Sequence, residues 1–162
     1  MEEVPKGGSA STSNYSSLRK FWKYLWSMNI PYKVRHFAWR ACKDILPTTE
    51  NLKRRKVLVD SCCEAWQTET ESSGHLFWLC SRAKEVWRVS KLFSGQLNLH
   101  FSSFMDLIWF MIMVEKWDAA NVEKIIMIAW ALWSNRNREE VKSCGALVDF
   151  LLDYLREYQL CC

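Results

Sequence analysis

Apolar residues recur at spacings of three and four along most of this chain, and alternation of period two persists nowhere. Leu18, Phe21, Trp22, Leu25 and Trp26 fall on one stripe, and Val34, Phe37, Ala38, Ala41 and Ile45 on a second. Leu147, Phe150, Leu151, Tyr154, Leu155 and Tyr158 make another near the end. That period selects helices, and only five Gly and three Pro stand in 162 residues to interrupt them. Ten Trp supply the core, because each indole buries on the order of 200 Å².

The breakers divide the pattern. Residues 1–17 are acidic and then Ser/Gly-rich, and read as a disordered leader. The period predicts helices over 17–29 and 32–46, separated at Ile30-Pro31 and ended by Pro47. Thr48 or Thr49 is placed to cap a short third helix, ENLKRRK. Ser81 is placed to cap a helix over 81–93, and 93–103 reads as a loop. Ser103 with Asp106 makes an acidic capping box for a helix reaching about Lys116. Asp118 caps a long helix over 119–143 that Gly145 would stop. A last helix covers 146–160. The expectation is an all-α helical bundle with a small Cys/His zinc-knuckle-like insertion. It is divided into the leader (1–17), a first domain (18–93) and a C-terminal helical extension (94–162) packed on it.

No stretch approaches the roughly 20 apolar residues of a membrane span, and the N-terminus lacks the basic and apolar regions of a secretory signal. The expectation is an intracellular chain, nuclear or cytoplasmic and not secreted, whose seven cysteines are thiols or ligands. The terminal Cys161-Cys162 resembles a prenylation signal, but no phosphate-binding loop of a GTPase accompanies it.

Charge is concentrated. The chain carries +4, yet Arg19–Val59 alone holds eleven Lys/Arg against Asp44 and Glu50, a balance of +9. A local basic block of this kind suits a polyanion. Lys53, Arg54, Arg55 and Lys56 are its densest run, and Lys33, Arg35, Arg40 and Lys43 make a second patch. Trp22, Trp26, Tyr32 and Trp39 lie among them, placed either for stacking on unpaired bases or for the core. His36 and His100 are isolated and read as structural.

The remaining chemistry lies in residues 61–80, SCCEAWQTETESSGHLFWLC. Cys63, His75 and Cys80 are soft or borderline metal donors, and Trp66 stands where a second C-x-x-C cysteine would fall. Structural zinc takes four Cys/His ligands, and indole is not one. Cys62 is the only nearby thiol to take its place.

An ordered series of motifs resembles one family. FWKYLWSMNIPYKVRHFAWRACKDILPTTENLKRR, then ESSGHLFWLC, then Ala83–Trp87, then IAWALWSNRN at 128–137 are together similar to the zinc-binding domain of plant non-LTR retrotransposon reverse transcriptases. In that family the pattern C-x-x-C, about eight residues, then H-x-x-x-x-C holds zinc; here Cys63, His75 and Cys80 keep their places and Trp66 breaks the set. Glu71 belongs to the family's "ET" element.

The resemblance implies a retroelement-derived, non-catalytic accessory module over 18–93, with a degenerate zinc site (Cys62, Cys63, His75 and Cys80). Its partner would be RNA or DNA, bound weakly and without sequence specificity; neither a small-molecule substrate nor a membrane is expected. The alternative is a structural or protein-interaction helical domain with no nucleic-acid role. A third class, a metalloenzyme using Cys63, His75, Cys80 and water, lacks an accompanying base.

Overall fold

A computed structural model of the chain describes residues 10–58, 70–93, 95, 98–136 and 143–161. Among these described residues are seven α-helices: α1 (Ala10–Ser27), α2 (Tyr32–Cys42), α3 (Thr49–Arg54), α4 (Ser81–Ser90), α5 (Phe104–Trp109), α6 (Ala119–Arg136) and α7 (Cys144–Cys161). Two π-helical turns, His75–Leu79 and Phe110–Val114, complete the architecture. Among the described residues the class is all-α, as expected, and no helix is long and apolar enough to cross a membrane.

The caps follow from the sequence. Thr48 Oγ1 accepts from the Asn51 amide at 3.2 Å and opens α3. Ser103 Oγ accepts from the Asp106 amide at 3.1 Å while Asp106 accepts from the Ser103 amide at 3.1 Å, so the acidic capping box at α5 is complete. Asp118 accepts from the Asn121 amide ahead of α6.

Several boundaries differ from expectation. Helix α1 begins at Ala10, inside the stretch 1–17 read as disordered. Nucleating a helix is the costly step, so one anchored by Phe21 and Leu25 extends cheaply back through Ser and Thr. Cys80, not Ser81, holds the N-cap position of α4, without a side-chain cap bond. α4 ends at Ser90, where Lys91 turns left-handed (φ 56°). Gly145, read as the stop of α6, lies in the first turn of α7 instead. Helix α6 is described to Arg136, and residues 137–142 of the expected helix lie outside the described residues.

One hydrophobic cluster runs from Phe21 to Leu155. α6 packs on α2 and on the π-turn at 75–79, α5 packs on α2, and α7 packs on α4 and α6. The apolar centre of α6 is therefore covered all round: residues 125–129 (Ile, Ile, Met, Ile, Ala) are fully buried. Buried Glu123 ties three elements together by accepting from the Asn29 amide at 2.6 Å and from the Gln159 side chain at 2.9 Å. The helices after residue 93 thus share their core with those before it.

Candidate functional site

The His75–Cys80 half of the expected knuckle is a core element. It enters through Gly74, where a Cβ would lie 2.4 Å from the Ser102 carbonyl oxygen and 2.6 Å from that of Phe101. Only glycine permits that approach of two backbones. The following turn is π-helical, with the Cys80 amide donating to the His75 carbonyl at 2.8 Å. Its residues 75–78 are all buried, because neighbours surround it. Phe77 meets Phe104 (4.8 Å between ring centroids) and Phe37 (5.8 Å) on one side. Trp78 sits edge-on to Phe93 (4.8 Å) and Phe101 (5.0 Å) on another. Both indoles in the cluster are satisfied: Trp78 donates to the Leu99 carbonyl at 2.6 Å and Trp87 to the Phe77 carbonyl at 2.7 Å.

His75 is 3% exposed and Cys80 6% exposed. Cys62, Cys63 and Trp66 lie outside the described residues. Among the described residues, no three His, Cys, Asp or Glu side chains gather as a metal site. His75 and Cys80 are two donors of the four that structural zinc takes, so this half by itself does not make a zinc site. What the sequence presents as a knuckle is here, on its described side, a packed turn at the centre of the fold.

Glu71, read from the sequence only as a motif residue, is 2% exposed and carries a buried ion pair. The Arg136 Nε donates to its Oε2 at 2.9 Å, and Arg136 Nη2 donates to its Oε1. The Thr49 amide donates to Oε1 at 3.1 Å, and the Glu50 amide donates to the Glu71 carbonyl at 3.3 Å. Arg136 also lies 5.3 Å from the Trp133 ring centroid. One carboxylate therefore joins the segment before the π-turn, the first turn of α3 and the last turn of α6. The fork-to-carboxylate geometry and the added amide bond are what a buried charge needs to repay its desolvation. Neither Glu71 nor Arg136 stands out in the sequence as a site residue; the only signal there is their place in two separate motifs.

The structure sorts the eight expected cationic site residues. Arg35 is half-buried: its Nη2 donates to the Met28 carbonyl at 2.6 Å and the Ile30 carbonyl at 3.2 Å, tying down the chain after α1. Two of its donor directions are thereby given to backbone carbonyls, an anchoring role the sequence reading did not assign. Lys43 is exposed and lies 4.9 Å from the Trp22 ring centroid. Arg54 donates to Asn51 Oδ1 at 2.7 Å and lies 3.7 Å from Asp44. Asn51, fully buried, in turn pins the loop before α3 by donating to the Asp44 and Leu46 carbonyls. Lys53, Arg55 and Lys56 are exposed on and just after α3.

Lys33 and Arg40 are brought to a place the sequence did not indicate. They line an open cleft of about 430 Å³ between α2 and α6, together with His36 and the half-buried indoles of Trp130 and Trp133. Buried Phe37 and Leu46 form its inner part. Lys33 Nζ stands 4.8 Å from the Trp130 ring centroid and 5.3 Å from that of Tyr154. His36, read as a structural residue, is exposed, stacks on Tyr32 (6.2 Å) and lies tilted against Trp39 (5.6 Å). The register is visible in the sequence, since Lys33, His36 and Arg40 share one face of α2 and Trp130 and Trp133 one face of α6. That the two faces meet is not.

Comparison with protein families gives a match to set beside this geometry. The family described as zinc-binding in reverse transcriptase matches residues 9–87. No curated protein and no solved structure matches the chain.

Proposed function

Residues 9–87 match the family described as zinc-binding in reverse transcriptase, and from that premise we propose that the chain is a non-catalytic accessory module that binds RNA or DNA weakly and without sequence specificity. The observation that carries this reading is the charge presented by two consecutive helices. Lys33, Lys43, Lys53, Arg54, Arg55 and Lys56 are exposed and Arg40 is half-buried, and of the seven only Arg54 has a carboxylate within 4 Å among the described residues. Cations so placed neutralise phosphates and release counterions, which yields affinity that falls steeply with salt. The retroelement origin is part of the same proposal.

The test is a salt-titrated binding curve on single-stranded RNA. Replacing Lys53, Arg54, Arg55 and Lys56 together by Ala should weaken binding at low salt and flatten the salt slope by about 3, near 0.7 for each single-strand phosphate no longer neutralised. An unchanged curve would mean the run is only a solvated surface.

Zinc is what the family implies. We propose that Trp66 has cost the chain its stoichiometric metal, with Cys63, His75, Cys80 and Cys62 as the residual donors. Losing one thiolate from a structural site removes part of a binding free energy on the order of 10 kcal/mol. Purified protein should hold well under one zinc per chain, and Trp66→Cys should raise that toward one. Chelator-resistant, stoichiometric zinc in the unaltered chain contradicts this.

A further inference from the structure

We propose that the cleft between α2 and α6 is a binding site for one unpaired nucleotide of a single-stranded nucleic acid, its base against Trp130 and Trp133 and its phosphate held by Lys33 and Arg40. The inference rests on the nucleic-acid reading above and gives it a location and a strand preference.

Three properties of the cleft point the same way. Its volume of about 430 Å³ lies in the range of small-ligand sites. One wall, from α6, is aromatic, and each indole that lines it is only half-buried, so part of each ring borders the opening. The other wall, from α2, is cationic: Lys33 and Arg40 are seven residues apart, two turns of one helix face, with His36 between them. Among the described residues, no Asp or Glu lines the cleft. Walls of a single sign around a concave, partly apolar space focus the field and raise the local concentration of anions.

The indoles decide which anion. A free phosphate or an acidic peptide would satisfy the cations and leave the aromatic wall idle. A nucleotide uses both, because every base has a π-face and every base carries its phosphate alongside. Lys33 already lies against the Trp130 ring, so this face attracts positive charge, and a base stacking on it moves the ammonium aside to the phosphate. The concavity decides the strand state. A paired base is stacked between neighbours inside its helix and cannot enter a cleft between two protein helices, whereas an unpaired base can be turned out into it. Duplex would be confined to the convex α3 run, where binding needs only phosphates.

The test uses the full chain and a pair of probes: a fluorescein-labelled oligouridine of about eight nucleotides and an RNA duplex of equal length. Trp130→Leu and Arg40→Gln are each measured, with helical content and melting temperature recorded to establish folding. The expected result is a loss of about tenfold or more in single-strand affinity for Trp130→Leu, the scale of removing one base–aromatic stack, with duplex affinity unchanged within twofold. Independently of any substitution, irradiating the unaltered chain with oligo-4-thiouridine should cross-link Trp130 or Trp133, as mapped by mass spectrometry.

Equal loss for single strand and duplex overturns the cleft site while leaving the nucleic-acid reading intact. So does a cross-link confined to residues 53–56, or displacement of the oligonucleotide by polyglutamate at equal charge concentration. Failure of both probes to bind even at low salt overturns the nucleic-acid reading itself.

Discussion

At the scale of single residues, the strongest constraints are contacts that permit no substitute. Gly74 has no room for a Cβ because two backbone oxygens occupy the place. Gly74→Ala should destabilise the chain by about 2–3 kcal/mol, the cost of forcing extra atoms into a packed site, readable as a lower urea midpoint at unchanged slope. Glu71 and Arg136 make a second such point. Arg136→Leu should cost about 3–5 kcal/mol by stranding a buried carboxylate. Adding Glu71→Leu should recover part of that and not all, since the Thr49 amide then loses its acceptor. A double-mutant cycle by chemical denaturation separates the two contributions, and simple additivity contradicts the assignment. Thiol chemistry follows burial: burial pushes the Cys42 thiol well above its ordinary range, and Cys80 is enclosed with it in the core. Brief alkylation followed by peptide mapping should therefore label exposed Cys161 before either. The candidate site was only partly legible here. Lysine and arginine announce charge, but nothing in the letters of Arg35 tells that its guanidinium also anchors the carbonyls of Met28 and Ile30.

At the scale of elements, the sequence was most informative, because caps and breakers act over three or four residues. Thr48, Ser103 with Asp106, and Asp118 each cap the helix expected of them. Ser103→Ala should cost about 1 kcal/mol, a fall of roughly 2–4 °C in melting temperature for a chain of this size. Lys91 is the converse case, a non-glycine residue in the left-handed region at the end of α4. Lys91→Gly removes a steric penalty of about 1–2 kcal/mol and adds chain entropy to the unfolded state, so a small rise in melting temperature is expected; a fall would mean Lys91 contributes through its side chain. Helix ends were less legible. The start of α1 and the place of Gly145 depend on what is packed nearby, and local propensity is a weak guide to that. The π-turn at 75–79 left no sequence signature, since its extra residue per turn is imposed by the partners that surround it.

At the scale of the molecule, the helices expected as an extension after residue 93 pack into one core with those before it. Phe93 touches Trp78 and Trp87 on one side and Trp117 on the other, and α6 covers α2. A chain ended at Phe93 leaves that face of α2 in water. It should lose cooperative thermal unfolding and bind a hydrophobic dye; a sharp two-state melt of the fragment would show that the first part folds unaided. By itself, the sequence determined the helical class, the order of the helices, most of their caps, the basic segment and the family, because each of these is written in local spacing or in ordered motifs. Only the tertiary structure decided that Glu71 meets Arg136, that the histidine half of the knuckle is core, and that a cationic face of α2 opposes an indole face of α6. Those are pairings between residues tens of positions apart, fixed by how the described helices bury their apolar faces together, and no single face names the one it will meet.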